Sequence, residues 1–571
     1  MKDNAVTHIS QIEGCIKNAT DYLSLNQNSN GSFFSDSYSE TGQLEAKRET
    51  IFFNAEILYQ LSDMPNNVLL KGIQARLVDY LLSQRSAKYT FNYWPKRAKD
   101  VPTLPDDIDD TSCAVLALSK CLKLKQLNPF LSNYPNILSQ QYVKDAFSTW
   151  IPLGKYPIDV DPVVQMNVSA TLKLLNIELN TLPLDDLISE NWYKSSKYYT
   201  EPFLPAYFSS RAGLAYGKSA TLNELQRPTQ AWGLGLSLLV NSEAVEESHI
   251  AYFLKTQLEN GSWNSEKTII EGRNNSKQVI YAKSDALATA IILNILYYYL
   301  EKIRLNQALS LLIEVGGTHK SQENPLLKLT TSTSKVMNFA QLLVLLPVLV
   351  SWREYENRPA EIKKIIKQSL SGLLGVNWLN RTIDKKKINQ NQDSALDLMN
   401  FLVYCSEYAG PDLFRDIVKN YYYYQFSPPK GEQFLNNFKK SYKNRVSISL
   451  VPTLVESKRA QKTFSETTYN FFIELLAARS ISDDLFDFTE DNTANLETGV
   501  TTLVKKYGYA RAKRICLKKI TSFSETALGL LEINQELVYW HYTLTKFINE
   551  SLSVARGNLI AEKCSTRIKR H

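Results

Sequence analysis

Apolar residues recur three and four positions apart through nearly the whole chain, and that period excludes most folds. Ile51-Phe52-Phe53-Asn54-Ala55-Glu56-Ile57-Leu58 and Ala286-Leu287-Ala288-Thr289-Ala290-Ile291-Ile292-Leu293 are two such runs, and each has the period of a helix with a buried face. Strand-like alternation closed by hairpin turns is scarce, so the chain reads as all-α. At 571 residues it has room for more than one domain. An apolar fraction of 44% and a charged fraction of 22% are those of a globular protein and exclude a disordered or collagen-like one.

The first half carries an internal repeat. Tyr22-Leu23 leads to Gln27 and then Gly31-Ser32-Phe33; Phe253-Leu254 leads to Gln257 and then Gly261-Ser262-Trp263. Both are an apolar pair followed by Q-x-x-x-G-x-aromatic. Tyr80-Leu81, Gln84 and Tyr93-Trp94 read as a degenerate third copy. A glycine that ends a helix and an aromatic that packs between neighbouring helices, repeated, produce helix pairs that stack into a solenoid or close into a toroid. The polar stretch from Val315 to Pro325, with Gly316-Gly317 inside it, reads as a linker. It sets the expected domains at residues 1–315, with the repeats, and 325–571, again helical.

The formal charge of +7 is mild for this length and suits an anionic small substrate as well as anything else. The six cysteines, at 15, 113, 121, 405, 516 and 564, have no zinc spacing and fit a reducing compartment. The N-terminus has no apolar segment of the signal-peptide kind. The run Phe339–Trp352 contains Pro347 and is too short for the ~20 residues of a membrane span. The expectation is a soluble, cytoplasmic protein without stable membrane insertion. No phosphate loop, dinucleotide fingerprint or nucleic-acid motif occurs, and His541 reads as a packed or surface histidine. Oligomeric state stays open.

Residues 104–113 read Leu-Pro-Asp-Asp-Ile-Asp-Asp-Thr-Ser-Cys, and the helical run Ala114-Val115-Leu116-Ala117-Leu118 follows at once. Capping a helix start takes one Asp or Ser, not four carboxylates in five residues. Crowded carboxylates cannot all ionise cheaply, so at least one is held protonated. That is what a general acid for a weakly basic group requires.

Asp107-Ile108-Asp109-Asp110-Thr111 resembles the D-x-D-D-T motif of class II terpene cyclases, the squalene–hopene and copalyl diphosphate type. The two repeats resemble those of the same family, over about residues 10–310. By this resemblance the first domain is the single α/α toroid of bacterial class II cyclases. Asp109 would protonate an alkene or epoxide, and Asp107 and Asp110 would orient it and tune its acidity. The matching segments at Tyr93-Trp94, Asp161–Asn167, Tyr198-Tyr199 and Ser210-Arg211 imply substrate-binding roles for Trp94, Asn167, Tyr199 and Arg211. Most members carry a second barrel; this chain has room for one.

A second acidic group lies at 481–492, Ile-Ser-Asp-Asp-Leu-Phe-Asp-Phe-Thr-Glu-Asp-Asn, after a helix predicted over Tyr469–Arg479. Asp483, Asp487 and Asp491 at i, i+4 and i+8 drift about 40° per step and would share one helix face. Such carboxylates repel unless a hard cation such as Mg²⁺ binds them. Ser482–Asp491 resembles the second aspartate-rich motif of the isoprenoid synthase fold, which implies a helical bundle. Asp393 and Asp397 are candidates for its facing motif. Arg445, beside Lys439, Lys440 and Lys443, would be the diphosphate-sensing residue.

Together the two resemblances imply a bifunctional class II/class I terpene cyclase acting on a linear prenyl diphosphate, geranylgeranyl preferred and farnesyl second, with Mg²⁺ assisting diphosphate ionisation in the second domain. Two alternatives stay open. The second domain could be a prenyltransferase or a non-catalytic scaffold, or the toroid could be a helical-repeat binding module.

Overall fold

The computed structural model describes residues 2–64, 68–98, 104–143, 146–152, 155–174, 196–213, 230–273, 278–318, 358–370, 465–493 and 499–532, with isolated positions at 348, 442, 450, 455, 534, 537, 540, 544, 545, 547–549, 552 and 555. They divide between Leu300 and Glu301 into two compact units.

In the first unit the helices are α1 (Lys2–Asn26), α2 (Ile51–Leu61), α3 (Val68–Gln84), α4 (Ile108–Cys121), α5 (Leu124–Gln141), α6 (Pro162–Leu174), α7 (Phe203–Ala212), α8 (Ala231–Val240), α9 (Glu247–Thr256) and α10 (Asp285–Thr318), the last running on into the second unit. Two kinds of helix are distinguishable by burial. In α2 every residue but Tyr59 is buried, and α4 is buried from Ile108 to Ser119. A helix buried on all sides must be enclosed by others. By contrast α3 buries only Leu70, Ile73, Leu77, Tyr80 and Leu81, a single stripe.

The enclosed helices follow one another in a ring. α2 packs on α4, α4 on α6, α6 on α7 and α7 on α8. Gly235 of α8 lies so close to α10 that a Cβ there would be 3.0 Å from Ile291. The ring closes where Asn294 of α10 donates to the Gln60 carbonyl and side-chain oxygen of α2, both at 3.2 Å. α1 lies outside, between α9 and α3.

The repeats fasten this outer layer. The Gln27 amide is used twice: its Nε2 donates to the Gly31 carbonyl at 2.8 Å and to the Ile73 carbonyl of α3 at 2.9 Å. Gln257 donates to Gly261 at 2.9 Å and to Cys15 of α1 at 3.0 Å. Gly31 and Gly261 have φ of +92° and +88°, and a Cβ would stand 2.2 Å from the Arg76 carbonyl oxygen and 2.3 Å from that of Asn18. Each repeat thus docks one outer helix end on the next, and only glycine fits.

The expectation of a purely helical chain needs correcting. Each full repeat runs into a hairpin, β1 (Phe34–Ser39) with β2 (Leu44–Glu49) and, after the short β3 (Tyr142–Val143) and β4 (Ala146–Phe147), β5 (Ile269–Arg273) with β6 (Val279–Lys283). The two hairpins join through β1 and β6 into one antiparallel sheet ordered β2-β1-β6-β5. Its inward residues on β1 are Ser35, Ser37 and Ser39, so the strand has no apolar alternation to read. A second difference concerns the expected linker: Gly316 and Gly317 lie in the last turn of α10. The Asp285–Ala308 part of α10 is long and apolar enough to cross a membrane, and most of it is buried inside the protein.

In the second unit α11 (Glu466–Phe486) packs along α14 (Tyr509–Glu532), joined by α12 (Phe488–Thr493) and α13 (Gly499–Tyr507). Ser465 caps α11 by accepting from the Thr468 N–H. Asn534 donates to Thr468 Oγ1 at 2.7 Å. The chain as described is mostly α with few strands.

Candidate active site

The start of α4 is clamped before the helix begins. The Asp107 N–H donates to the Phe91 carbonyl at 3.0 Å, the Ile108 N–H to Thr149 at 2.9 Å and the Ile151 N–H to Asp106 at 2.8 Å. Asp107 is the N-cap, its carboxylate accepting from the Asp110 N–H at 2.7 Å. Thr111 Oγ1 donates to the Asp107 carbonyl and accepts from the Phe91 N–H. Capping and clamping therefore account for Asp107 and Thr111, and they leave Asp109 on the first turn, 8% exposed.

Both oxygens of Asp109 are occupied by donors. Asn167 Nδ2 of α6 donates to Oδ1 at 2.7 Å, and the Tyr199 hydroxyl donates to Oδ2 at 2.6 Å. Arg211 Nη2 of α7 donates to Asn167 Oδ1 at 2.8 Å, which fixes the amide so that its nitrogen faces the acid. Arg211 Nη1 binds both carboxylate oxygens of Glu56 on α2, at 2.9 and 3.0 Å. Its guanidinium also lies 4.6 Å from the Phe208 ring centre and 4.8 Å from that of Tyr59. Four of the enclosed helices thus meet in one chain of contacts, Glu56–Arg211–Asn167–Asp109.

Asp161 sets two members of this group. Its Oδ1 accepts from the Val163 N–H at the start of α6, and its Oδ2 accepts from Ser196 Oγ and the Lys197 N–H, both at 2.8 Å. Tyr199 follows directly, held extended against Ile269 of β5. Tyr199, Phe52 and Phe208 stand edge to face, with ring centres 5.8 to 6.2 Å apart.

Burial dominates the acidity. It raises Asp109 to about 6, against the pull of the Tyr199 and Asn167 hydrogen bonds, which favour the ionised form. Burial raises Asp110 to about 7, and burial together with the Asp110 charge lifts Asp107 well above the carboxylate range. Asp107 and Asp110 titrate together as a pair, each raised chiefly by burial. Asp110 Oδ1 is buried without a hydrogen-bond partner.

The sequence-derived residues are therefore distributed as follows. Asp107, Asp109 and Asp110 are together, and Asn167, Tyr199 and Arg211 are brought to Asp109 itself. Trp94 lines a separate cleft with Lys47, Arg48 and Lys96. Its neighbour Tyr93 donates to Glu271 at 3.1 Å. Glu56 and Asp161 were not singled out from the sequence as members of the site. Glu56 carried a usable signal, an acid in an otherwise apolar helical run, since such an acid is buried only with a partner.

The second acidic group is arranged differently from its expectation. α11 ends at Phe486 with Asp487 as its C-cap, and α12 begins at Phe488. Asp483, Asp487 and Asp491 therefore do not share one helix. Asp483 lies 3.2 Å from Arg479, and the buried Asp484 accepts from the Tyr442 hydroxyl at 2.5 Å. Asp393, Asp397, Arg445 and the Asp491 side chain lie outside the described residues. Among the described residues no three His, Cys, Asp or Glu side chains converge to hold a metal ion.

No family model and no curated protein matches the chain. Among solved structures it is similar to a protein from Actinoplanes, with a TM-score of 0.37 and 12% identity over 50% of this chain and 99% of that one. It is also similar to a variant of type II terpene cyclase MstE from Scytonema in complex with geranylgeranyl dihydroxybenzoate, with a TM-score of 0.39 and 15% identity over 51% of this chain and 98% of that one. The apo structure of MstE gives a TM-score of 0.37 and 14% identity over 50% and 97%.

Proposed function

We propose that the first unit is a class II terpene cyclase, an α/α toroid in which Asp109 protonates the terminal alkene of a linear prenyl diphosphate. Geranylgeranyl diphosphate is the preferred substrate and farnesyl diphosphate the second. One observation carries the reading: a buried aspartate, raised to about 6, has one donor on each oxygen and aromatic rings beside it. The carboxylic proton passes to an alkene carbon, whose π pair forms the new C–H bond and leaves a tertiary cation. Neighbouring double bonds attack in turn, and the last cation loses a proton, so the diphosphate is untouched. The Asn167 and Tyr199 donors stabilise the carboxylate left behind and so strengthen the acid. The faces of Phe52, Phe208 and Tyr199 suit a passing cation.

A second step, Mg²⁺-assisted ionisation of the cyclised diphosphate in an isoprenoid-synthase bundle, is supported by the sequence of Ser482–Asp491. The pairing of Asp483 with Arg479 and the helix break at Asp487 favour a second reading, in which cyclisation is the whole chemistry of the chain. Incubation with geranylgeranyl and farnesyl diphosphates, with and without Mg²⁺ and with phosphatase treatment, followed by mass spectrometry, tests both. A cyclised diphosphate supports the first step, and a cyclised hydrocarbon or alcohol formed without phosphatase supports the second. Recovery of only the linear substrates would sink the cyclase reading.

A further inference from the structure

A cleft of about 790 Å³ opens on the first unit between the turn before β1, the β1–β2 hairpin, the end of α3 and the segment from Trp94 to Ala98. Its volume is that of a small-molecule site. Lys47, Arg48, Lys96 and Arg97 line it against a single acid, Glu49. Glu49 is already supplied with donors, the amides of Asn28 and Asn30 and the Tyr80 hydroxyl, at 3.0 to 3.5 Å.

Among the described residues, the other acids near these cations lie outside the lining. Asp36 is 3.8 Å from Lys47, and Glu271 is 3.7 Å from Arg48. Lys96 Nζ binds the carbonyls of Ser83 and Arg85 at 2.9 and 2.5 Å, which anchors the segment that carries Arg97. Arg97 is exposed and pairs with no acid among the described residues. Trp94 is 5% exposed, and its Nε1–H is buried without an acceptor. Buried donors are seldom left so. The Arg48 guanidinium stands 5.7 Å from the Trp94 ring centre, so indole and guanidinium share one wall.

A lining rich in donors and cations calls for an acceptor-rich anion. We propose that this cleft is a binding site for a phosphate-class anion of the diphosphate kind, with Arg48, Lys47 and Arg97 meeting its oxygens. Guanidinium groups are well matched to such oxygens. The anion is either a free diphosphate or the head group of the prenyl substrate.

Isothermal titration of inorganic diphosphate into the full-length chain, in metal-free, low-salt buffer, reads the site without any turnover, so its failure is separate from failure of the cyclase reading. Saturable binding is expected. Lys47→Gln with Arg97→Gln, both exposed and outside the acid site, should weaken it about tenfold or more. No binding by the parent chain at millimolar diphosphate, or equal binding by the double variant, overturns the proposal. Kinetics with the linear diphosphate then assign the source. A raised KM with unchanged kcat in the double variant assigns the cleft to the substrate's head group, and an unchanged KM assigns it to a free anion.

Discussion

Asn167 Nδ2 donates to Asp109 Oδ1 across 2.7 Å, and the same amide accepts from Arg211 Nη2 through its oxygen at 2.8 Å. One side chain on α6 thereby links the acid on α4 to an arginine on α7, and that arginine to Glu56 on α2. The link explains how an acid on the first turn of a helix is held still. It also makes its proton easier to give up, because a fixed donor waits for the carboxylate.

Asp109→Asn should abolish cyclisation while leaving the fold intact. It should also stabilise the protein. Asp109 is raised from 3.8 to about 6 on folding, so the wild type loses stability as pH climbs through that window. The loss above pH 6 is on the order of 3 kcal/mol. Thermal melts at pH 4 and pH 8 should show little advantage for the variant in acid and a clear one in base. Retained conversion of a linear substrate to the same cyclic product would remove Asp109 as the acid.

The pH profile follows from the same group. The active form is protonated, so kcat/KM should be level below about pH 6 and fall about tenfold per unit above it. Tyr199→Phe removes a donor that favours the ionised form. The break should move up by about one unit while the acid plateau falls, because the proton is held more tightly. A downward move would contradict the assigned hydrogen bond.

Glu56→Gln leaves the Arg211 charge buried without its counter-ion, at a cost of about 3–5 kcal/mol in denaturant unfolding. Adding Arg211→Gln should restore much of the stability. It should not restore the rate, since Asn167 then has nothing to fix its amide. A double variant with full kcat would show that the arginine is structural only.

Gly261→Ala places a methyl on the Asn18 carbonyl at a φ of +88°. Strain and overpacking together should cost about 2–4 kcal/mol. Gly42→Ala, also at positive φ but with nothing within 4 Å, should cost less. Equal melting temperatures for the two would mean that the close approach of the helix ends does not matter.

For the second unit, Asp483→Ala with Asp487→Ala, or chelation with EDTA, should let a cyclised diphosphate accumulate if Mg²⁺ ionises it there. Product profiles identical to the parent chain would leave cyclisation as the only chemistry.

Helical content and the acidic group at 106–110 were legible in the sequence because both are local. A period of three to four and four carboxylates in five residues need no partner to be noticed. The repeat was legible for the same reason, yet what it does was not, since Gln27 and Gly31 act on carbonyls of α3, more than forty positions away. The sheet escaped because β1 turns serines inward, and a buried serine leaves no hydropathy signal. Even the face shared by Asp483, Asp487 and Asp491 depended on a helix continuing past Phe486, which local spacing does not determine. The sequence by itself determined where carboxylates crowd at the start of a helix. Tertiary structure alone decided which of them is held between two donors: Asn167 and Tyr199 lie 58 and 90 positions from Asp109, and only ring closure and strand pairing bring them within hydrogen-bonding reach.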